Sequence, residues 1–151
     1  MDFSQLQRGE IAAAIGGLVL VIAVFLPAYA PSSNPNATVA GGHADASIWD
    51  ANTISRFLLL AAAIAPIVLL YIVVRGHELS WPRGEMTAVI GLVAVTLIFW
   101  HGVIQRPGEP SGQIGLGIGW YLAFLGALAV AIGGAIRAST TERRRKPPGV
   151  L

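Results

Sequence analysis

Four long apolar stretches, separated by short polar segments, dominate the pattern of this chain. The clearest of them, FLLLAAAIAPIVLLYIVV, runs from Phe57 to Val74, carries no charge and is bounded by Arg56 and Arg75. As a helix rising about 1.5 Å per residue it would span roughly 27 Å, close to a bilayer core of about 30 Å. A soluble helix of this length would carry a polar face, and this stretch has none. The pattern therefore predicts a transmembrane helix.

The remaining apolar stretches predict three more spans and a membrane-embedded bundle. The predicted spans cover about 11–30, 53–75, 86–104 and 114–136. The later loops are short, so consecutive spans should be antiparallel neighbours. We predict an all-α fold, an integral membrane four-helix antiparallel bundle over 11–137. A cytoplasmic segment over 1–10 precedes it, and a flexible basic cytoplasmic tail over 138–151 follows.

The end of the first span imitates a signal-peptide cleavage site in Ala28-Tyr29-Ala30. The apolar run before it is longer than the usual h-region of about 7–15 residues. Pro31 would also follow the cut, where its fixed backbone fits a peptidase poorly. We predict that the span is not cleaved.

The segment 31–52 is the longest loop and is predicted to be extracytoplasmic. Its first half is Pro/Ser/Asn-rich turn material with little means of burying a core. In its second half Trp49 suits the membrane interface, and Asp50 or Asn52 could cap the second helix. The residue types of His43, Asp45 and Asp50 could bind a metal, but a solvated acidic loop is the favoured interpretation. No metal or cofactor is predicted.

The distribution of basic residues predicts the orientation. With the N-terminus inside, Arg56 and Arg106 are the two basic residues left outside, against eight inside. This positive-inside bias places both termini in the cytoplasm of a multi-pass plasma-membrane protein. Four of the eight inside residues form a cluster that we expect to contact anionic lipid: Arg143, Arg144, Arg145 and Lys146.

Composition agrees with the membrane class and limits the chemistry. Hydrophobic residues make up 54% of the chain and charged residues 12%, against about 25% charged in soluble domains. The chain has no cysteine, which excludes disulfides and thiolate chemistry. The basic cluster fits lipid better than nucleic acid, and no nucleic-acid partner is predicted. No charged residue lies in the middle of a span, which argues against a proton relay and against intramembrane hydrolysis.

Two features near the spans were candidates for a specific role. His101 lies beside Trp100 near the outer end of the third span, and an interfacial histidine is favoured over an intramembrane functional group. The fourth span carries a small residue every fourth position, which gives a continuous ridge along one side of a helix. This small-residue ridge is formed by Gly115, Gly119, Ala123, Ala127, Ala131 and Ala135. It could pack inside the bundle, which is the favoured alternative, or against another protein.

Three stretches resemble a family of small four-span membrane proteins from actinobacteria. They are LPAYA at the end of span one, SIWDANTISRFLLL before span two and GLGIGWYLAFLGALAVAIGG in span four. Ala28 stands where the LPWY-like pattern of that family has Trp. The resemblance implies an actinobacterial source and a four-span fold, and it implies no reaction.

Together these patterns predict a non-enzymatic accessory or scaffolding subunit of a larger membrane assembly. Its expected partners are the lipid bilayer and other integral membrane proteins, or further copies of itself. The alternative is a small transporter or channel, which could act as an oligomer with a shared pore. Polar residues within the spans include Tyr71, Thr87 and Thr96. Such residues are too few to line a water-filled path through one chain.

Overall fold

The computed structural model of the chain describes residues 6–77 and 81–145, the last five by their backbone alone. The described chain is mostly helical. Its helices are α1 (Arg8–Phe25), α2 (Ile48–Ala51), α3 (Ser55–Val74), α4 (Arg83–Phe99) and α5 (Ile118–Arg145). Its strands are β1 (Pro27–Pro31), β2 (Ala46–Ser47) and β3 (Ile114–Leu116). A π-helical turn over Trp100–Ile104 extends α4, and a 3₁₀ turn over Ser111–Gln113 precedes β3.

Within the described residues, four helices are long and apolar enough to cross a membrane, which confirms the prediction of a mostly helical chain with four such helices. The qualifying segments are Arg8–Phe25, Ser55–Val74, Arg83–Ile104 and Ile118–Thr140. Large apolar side chains are exposed on all four of them, and much of the buried surface consists of Gly and Ala. This distribution is the reverse of a water-soluble helix, in which large apolar residues are buried.

Helix α5 packs along its length against α1 on one side and α4 on the other. Gly9 of α1 lies against Gly133, and Gly16 lies against Gly126, so the contacts with α1 run in opposite chain directions. The contact between Gly126 and Gly16 is so close that a Cβ built on either glycine would lie under 3 Å from the other's carbonyl oxygen. Such approach gives van der Waals contact between backbones, which drives helix association in lipid.

Helices α5 and α4 also approach each other closely at glycines. A Cβ on Gly91 would collide with the backbone of Ala131, and one on Gly134 would collide with the backbone of Ala88. Near the other end of the pair, the Trp120 indole Nε1 donates to the carbonyl oxygen of Ile98 at 3.0 Å. Helix α3 packs mainly on α1 and contacts α4 much less.

A three-stranded antiparallel sheet lies at one end of the helices, in the order β2-β1-β3. Tyr29, in the central strand, pairs with Ala46 on one side and Leu116 on the other. Its side chain is buried in one core cluster with Ile48, Leu20 and other residues of the helices. We call this sheet together with α2 the cap, and this end of the helices the capped end.

The cap corrects two predicted span boundaries. The first span was predicted to reach residue 30, but α1 ends at Phe25 and 27–31 form β1. The fourth was predicted to begin at 114, but 114–116 form β3 and α5 begins at Ile118. Periodicity cannot separate a short apolar strand from a helix end, and here the strand hydrogen bonds decide the backbone conformation. Helix α5 also continues to Arg145, so the predicted flexible tail is helical up to that residue.

The first half of the long loop also differs from its prediction, because it contributes to the core. Ala37 and Val39 are buried, and Val39 belongs to the same core cluster as Tyr29. Thr38 exchanges two backbone hydrogen bonds of 2.9 Å with Glu109, which ties the loop to the segment after α4. Gly108 beside it has φ +110°, and a Cβ there would lie 2.6 Å from the Thr38 oxygen, so glycine is required.

Candidate functional site

A concave polar feature lies beside the cap, between the start of α3 and the segment that follows α4. It is an open cleft of about 460 Å³. We call it the polar cleft, and its lining residues that carry side-chain polar groups are Asn52, Thr53, Ser55, His101, Gln105, Arg106 and Glu109. Its volume falls in the range of about 300–1,000 Å³ that is usual for small-molecule sites.

His101 and Ser55 form a hydrogen-bonded pair on one wall of the cleft. The His101 Nδ1 lies 2.9 Å from the carbonyl oxygen of Leu97, which can only accept, so Nδ1 carries the proton. In the neutral ring Nε2 is then an acceptor, and the Ser55 hydroxyl, 3.4 Å away, is its donor. No carboxylate of the described residues is hydrogen-bonded to this histidine. At 3.4 Å the serine hydroxyl is held weakly and is free to turn toward a ligand.

Arg106 is fixed on the wall of the cleft by the backbone. Its Nε donates to the Gly102 oxygen at 2.6 Å, and its Nη1 donates to the Ile114 oxygen at 2.7 Å. These bonds join the π-helical turn to β3 and leave part of the guanidinium unused. Among the described residues no carboxylate lies within ion-pair distance of Arg106, although Glu109 lines the same cleft. The cleft therefore presents a half-buried cation without an ionic partner in the described chain.

Behind the cleft, Tyr29 and Asn52 connect it to the core of the cap. Asn52 is buried, donates through Nδ2 to the Ile48 oxygen at 3.2 Å and shares a side-chain hydrogen bond with Tyr29. Burial raises the pKa of the Tyr29 phenol above its ordinary value of 10.0, while the bond with Asn52 acts in the opposite direction. Tyr29 is thus a neutral structural group that supports the wall of the cleft.

Trp49 and Asp50, predicted as interface residues, both help to hold the cap. The Trp49 ring lies 5.3 Å from that of Phe25 and 5.5 Å from that of Phe57, so it joins α2 to α1 and α3. Asp50 was one of two residues predicted as candidates to cap the second span. It does not cap that span but forms a capping box with Ser47 at the start of α2. The short helix α2 comes first and has the better cap sequence, while α3 begins without a side-chain cap.

The ridge of α5 divides into parts with different surroundings. Gly115 is not on the helix at all, since it lies in β3. Gly119, Ala123 and Ala127 are buried, Ala131 is partly buried against Gly91, and Ala135 is exposed. The middle of the ridge therefore packs inside the chain, and its last member is uncovered.

The remaining predicted positions lie away from the cleft. The Nδ1 of His43 is 3.0 Å from the Ala37 oxygen, and no group of three potential metal ligands occurs among the described residues. The backbone of Arg143, Arg144 and Arg145 continues α5, while Lys146 lies outside the described residues. The predicted lipid contact of these four side chains remains a prediction.

At the end of the helices away from the cap, an ion pair joins α1 to α5. The Arg137 Nε lies 3.3 Å from the Glu10 Oε1, and both side chains are largely buried. Arg83 and Thr87 line a cavity of about 20 Å³ next to the pair, room for about one water. This pair was not predicted, because its partners lie 127 positions apart and each falls at the polar end of a span.

The sequence did contain one signal for the polar cleft. Arg56 and Arg106 are the two basic residues on the side that the positive-inside rule leaves poor in charge. Arg56 stacks 4.9 Å from the ring centres of Trp49 and Phe57, and Arg106 is pinned to two carbonyls. Both are therefore structural parts of the capped end. Ser55 and Gln105 had no recognisable pattern around them.

Comparisons of the chain with protein-family models, curated proteins and solved structures found no match.

Proposed function

We propose that the chain is an integral membrane protein in which α1, α3, α4 and α5 cross the plasma membrane as an antiparallel four-helix bundle. The main support is the outward direction of the large apolar side chains on all four helices. Arg56 and Arg75 bound the apolar run of α3 and are 19 residues apart, about 28 Å along a helix, which matches a bilayer core. Both termini are proposed to be cytoplasmic, and the cap extracytoplasmic.

Within this placement, we propose that the chain is a non-enzymatic accessory or scaffolding subunit. Transport through one chain is disfavoured by how closely the helices approach. Backbones of α5 contact those of α1 and α4 at glycines, and the cavity lined by Arg83 and Thr87 has room for about one water. The cap adds a folded surface at the end of the bundle, supported by the shared core around Tyr29. A folded cap on a closely packed bundle suits binding to a neighbour in the membrane.

Site-specific photocrosslinking in intact cells tests this proposal. A photoreactive residue at Ala44, exposed on the cap, is compared with one at Leu92, exposed in the middle of α4. A scaffolding subunit should give a discrete protein adduct from at least one position, identified by mass spectrometry and reproduced by crosslinking from the partner. Absence of any protein adduct, together with solute flux in proteoliposomes of the purified chain, would support the transporter or channel instead.

A further inference from the structure

The polar cleft adjoins apolar surface on the side of α3 and α4. Ile54 lines the cleft and is 75% exposed, and Val103 and Ile104, just before Gln105, are exposed as well. Because α3 contacts α4 much less than it contacts α1, the surface below the cleft is not closed by tight helix packing. A polar cleft above exposed apolar helices is complementary to an amphiphile, with the head in the cleft and the chains along the helices.

Hydrogen-bond donors and one cation dominate the wall of the cleft. Arg106 contributes the unused part of its guanidinium, as described above. Gln105 accepts from the Trp100 Nε1 through Oε1 at 3.2 Å, which leaves its NH₂ group as a donor. Ser55 adds a hydroxyl that can exchange its long bond to His101 for a ligand. Arginine and neutral donors together are the groups that bind phosphate oxygens in proteins.

Glu109 places a negative charge at the rim of the polar cleft. Its side chain is exposed and its backbone is bonded to Thr38, so the carboxylate is a feature of the rim and not a support of the fold. A carboxylate at the rim repels an anion in the cleft, and at short range the repulsion is only partly screened by salt. Its removal should therefore strengthen the binding of an anion.

We propose that the polar cleft binds the phosphate group of a membrane phospholipid, with Arg106, Gln105 and Ser55 as the contacting residues. The inference rests on the proposed membrane placement, which sets the capped end at the level of the lipid headgroups. The bound lipid would fill the open side between α3 and α4. It would thus be a structural component of the capped end.

The test uses the full chain, stripped of lipid in detergent and titrated by native mass spectrometry. Dioleoylphosphatidylglycerol is compared with dioleoylglycerol, which has the same acyl chains and no phosphate. Phosphatidylglycerol should bind at least about tenfold more tightly, the difference expected from one charge-assisted hydrogen bond. Equal binding of the two lipids would overturn the proposal.

Three variants assign the binding to the cleft. Arg106→Gln should reduce phosphatidylglycerol binding about tenfold or more and leave dioleoylglycerol binding unchanged. Glu109→Gln should increase it several-fold at low salt, and the matched control Glu85→Gln, exposed at the start of α4, should not. Since Arg106 also joins two backbone segments, Glu109→Gln keeps the test decisive if Arg106→Gln unfolds the cap. Unchanged binding in Glu109→Gln would refute the site.

A competition arm identifies the source of the phosphate. Inorganic phosphate should displace phosphatidylglycerol only at concentrations far above that of the lipid. Displacement at comparable concentrations would overturn the lipid assignment in favour of a soluble phosphate. All these measurements are made on solubilised protein, so their failure is distinct from a failure of the proposed topology, which is read from labelling in intact cells.

Discussion

The substitution Ala127→Leu tests most directly how the helices pack against one another. Ala127 is 0% exposed and belongs to the core cluster with Ala123 and Leu20. Ala135 lies two turns further along the same small-residue ridge and is exposed. The same substitution at these two positions differs only in whether another helix covers the site.

The expected cost at Ala127 follows from overpacking. Leucine adds three carbon atoms at a position without accessible surface, and insertion of extra bulk into a packed core costs about 1–3 kcal/mol. For a chain of 151 residues each kcal/mol lowers the melting temperature by about 2–4 °C. Ala127→Leu should therefore lower it by about 2–12 °C. Ala135→Leu should change it very little, because a leucine at this exposed position contacts detergent and displaces no neighbouring helix.

Thermal unfolding in detergent, followed by intrinsic fluorescence, measures both variants. Trp120 is a suitable reporter, because it is buried and bonded to α4 through Ile98. If Ala127→Leu has the same melting temperature as the wild type, the small-residue ridge does not pack inside the chain and the proposed packing of the bundle is wrong. If Ala135→Leu keeps its melting temperature but loses a crosslinked partner in cells, the uncovered end of the ridge is a partner interface.

Three further predictions test the topology, the cap and the opposite end. Single cysteines in this cysteine-free chain should react with an impermeant thiol reagent in intact cells at Ser33 and not at Ser139, and the reverse pattern would overturn the orientation. Because burial raises the pKa of Tyr29, the protonated phenol stabilises the folded state fully below pH 10.0, and this contribution is lost as pH rises through the raised value. The melting temperature should fall above pH 10.0 more steeply in the wild type than in Tyr29→Phe, and parallel curves would refute this. Glu10→Gln should cost about 1–3 kcal/mol in thermal unfolding, between the values for exposed and fully buried ion pairs. The exposed control Glu85→Gln loses only the favourable position of a carboxylate in the first turn of α4 and should cost less than about 1 kcal/mol.

The four apolar helices could be predicted from the sequence because each is encoded locally. A run such as that of α3 has one compatible environment whatever the remainder of the chain does. The cap could not be predicted, because its strands have two to five residues each and gain their stability only from one another. Tyr29 pairs with Ala46 and Leu116, and no periodic pattern marks such distant partners.

The candidate site could be predicted only in part, for the same reason. His101 was recognised as a polar group near the end of a span, but the cleft exists because Ser55 and Arg106 come from segments that the cap brings together. The loop over 31–52 looked unable to bury a core when considered alone. Ala37 and Val39 are buried in the cap and share its core, which is formed by residues before and after the loop.

Gly115 and Gly119 are four residues apart, as the small-residue ridge requires, but one lies in a strand and the other in a helix. This difference can be tested directly. Both fit the four-residue period, but Gly115 lies in β3, where a Cβ would be 3.6 Å from the Ala30 oxygen, an ordinary contact. At Gly119, in the first turn of α5, a Cβ would lie 2.5 Å from the Leu26 oxygen and 2.9 Å from its carbonyl carbon. Gly115→Ala should therefore keep the melting temperature within about 1 °C, since it adds no strain. Gly119→Ala must shift backbone and should lower it by several degrees, roughly 1–3 kcal/mol of overpacking. If the two variants lost equal stability, Gly115 would belong to the helical ridge after all, and the strand assignment of 114–116 would be wrong.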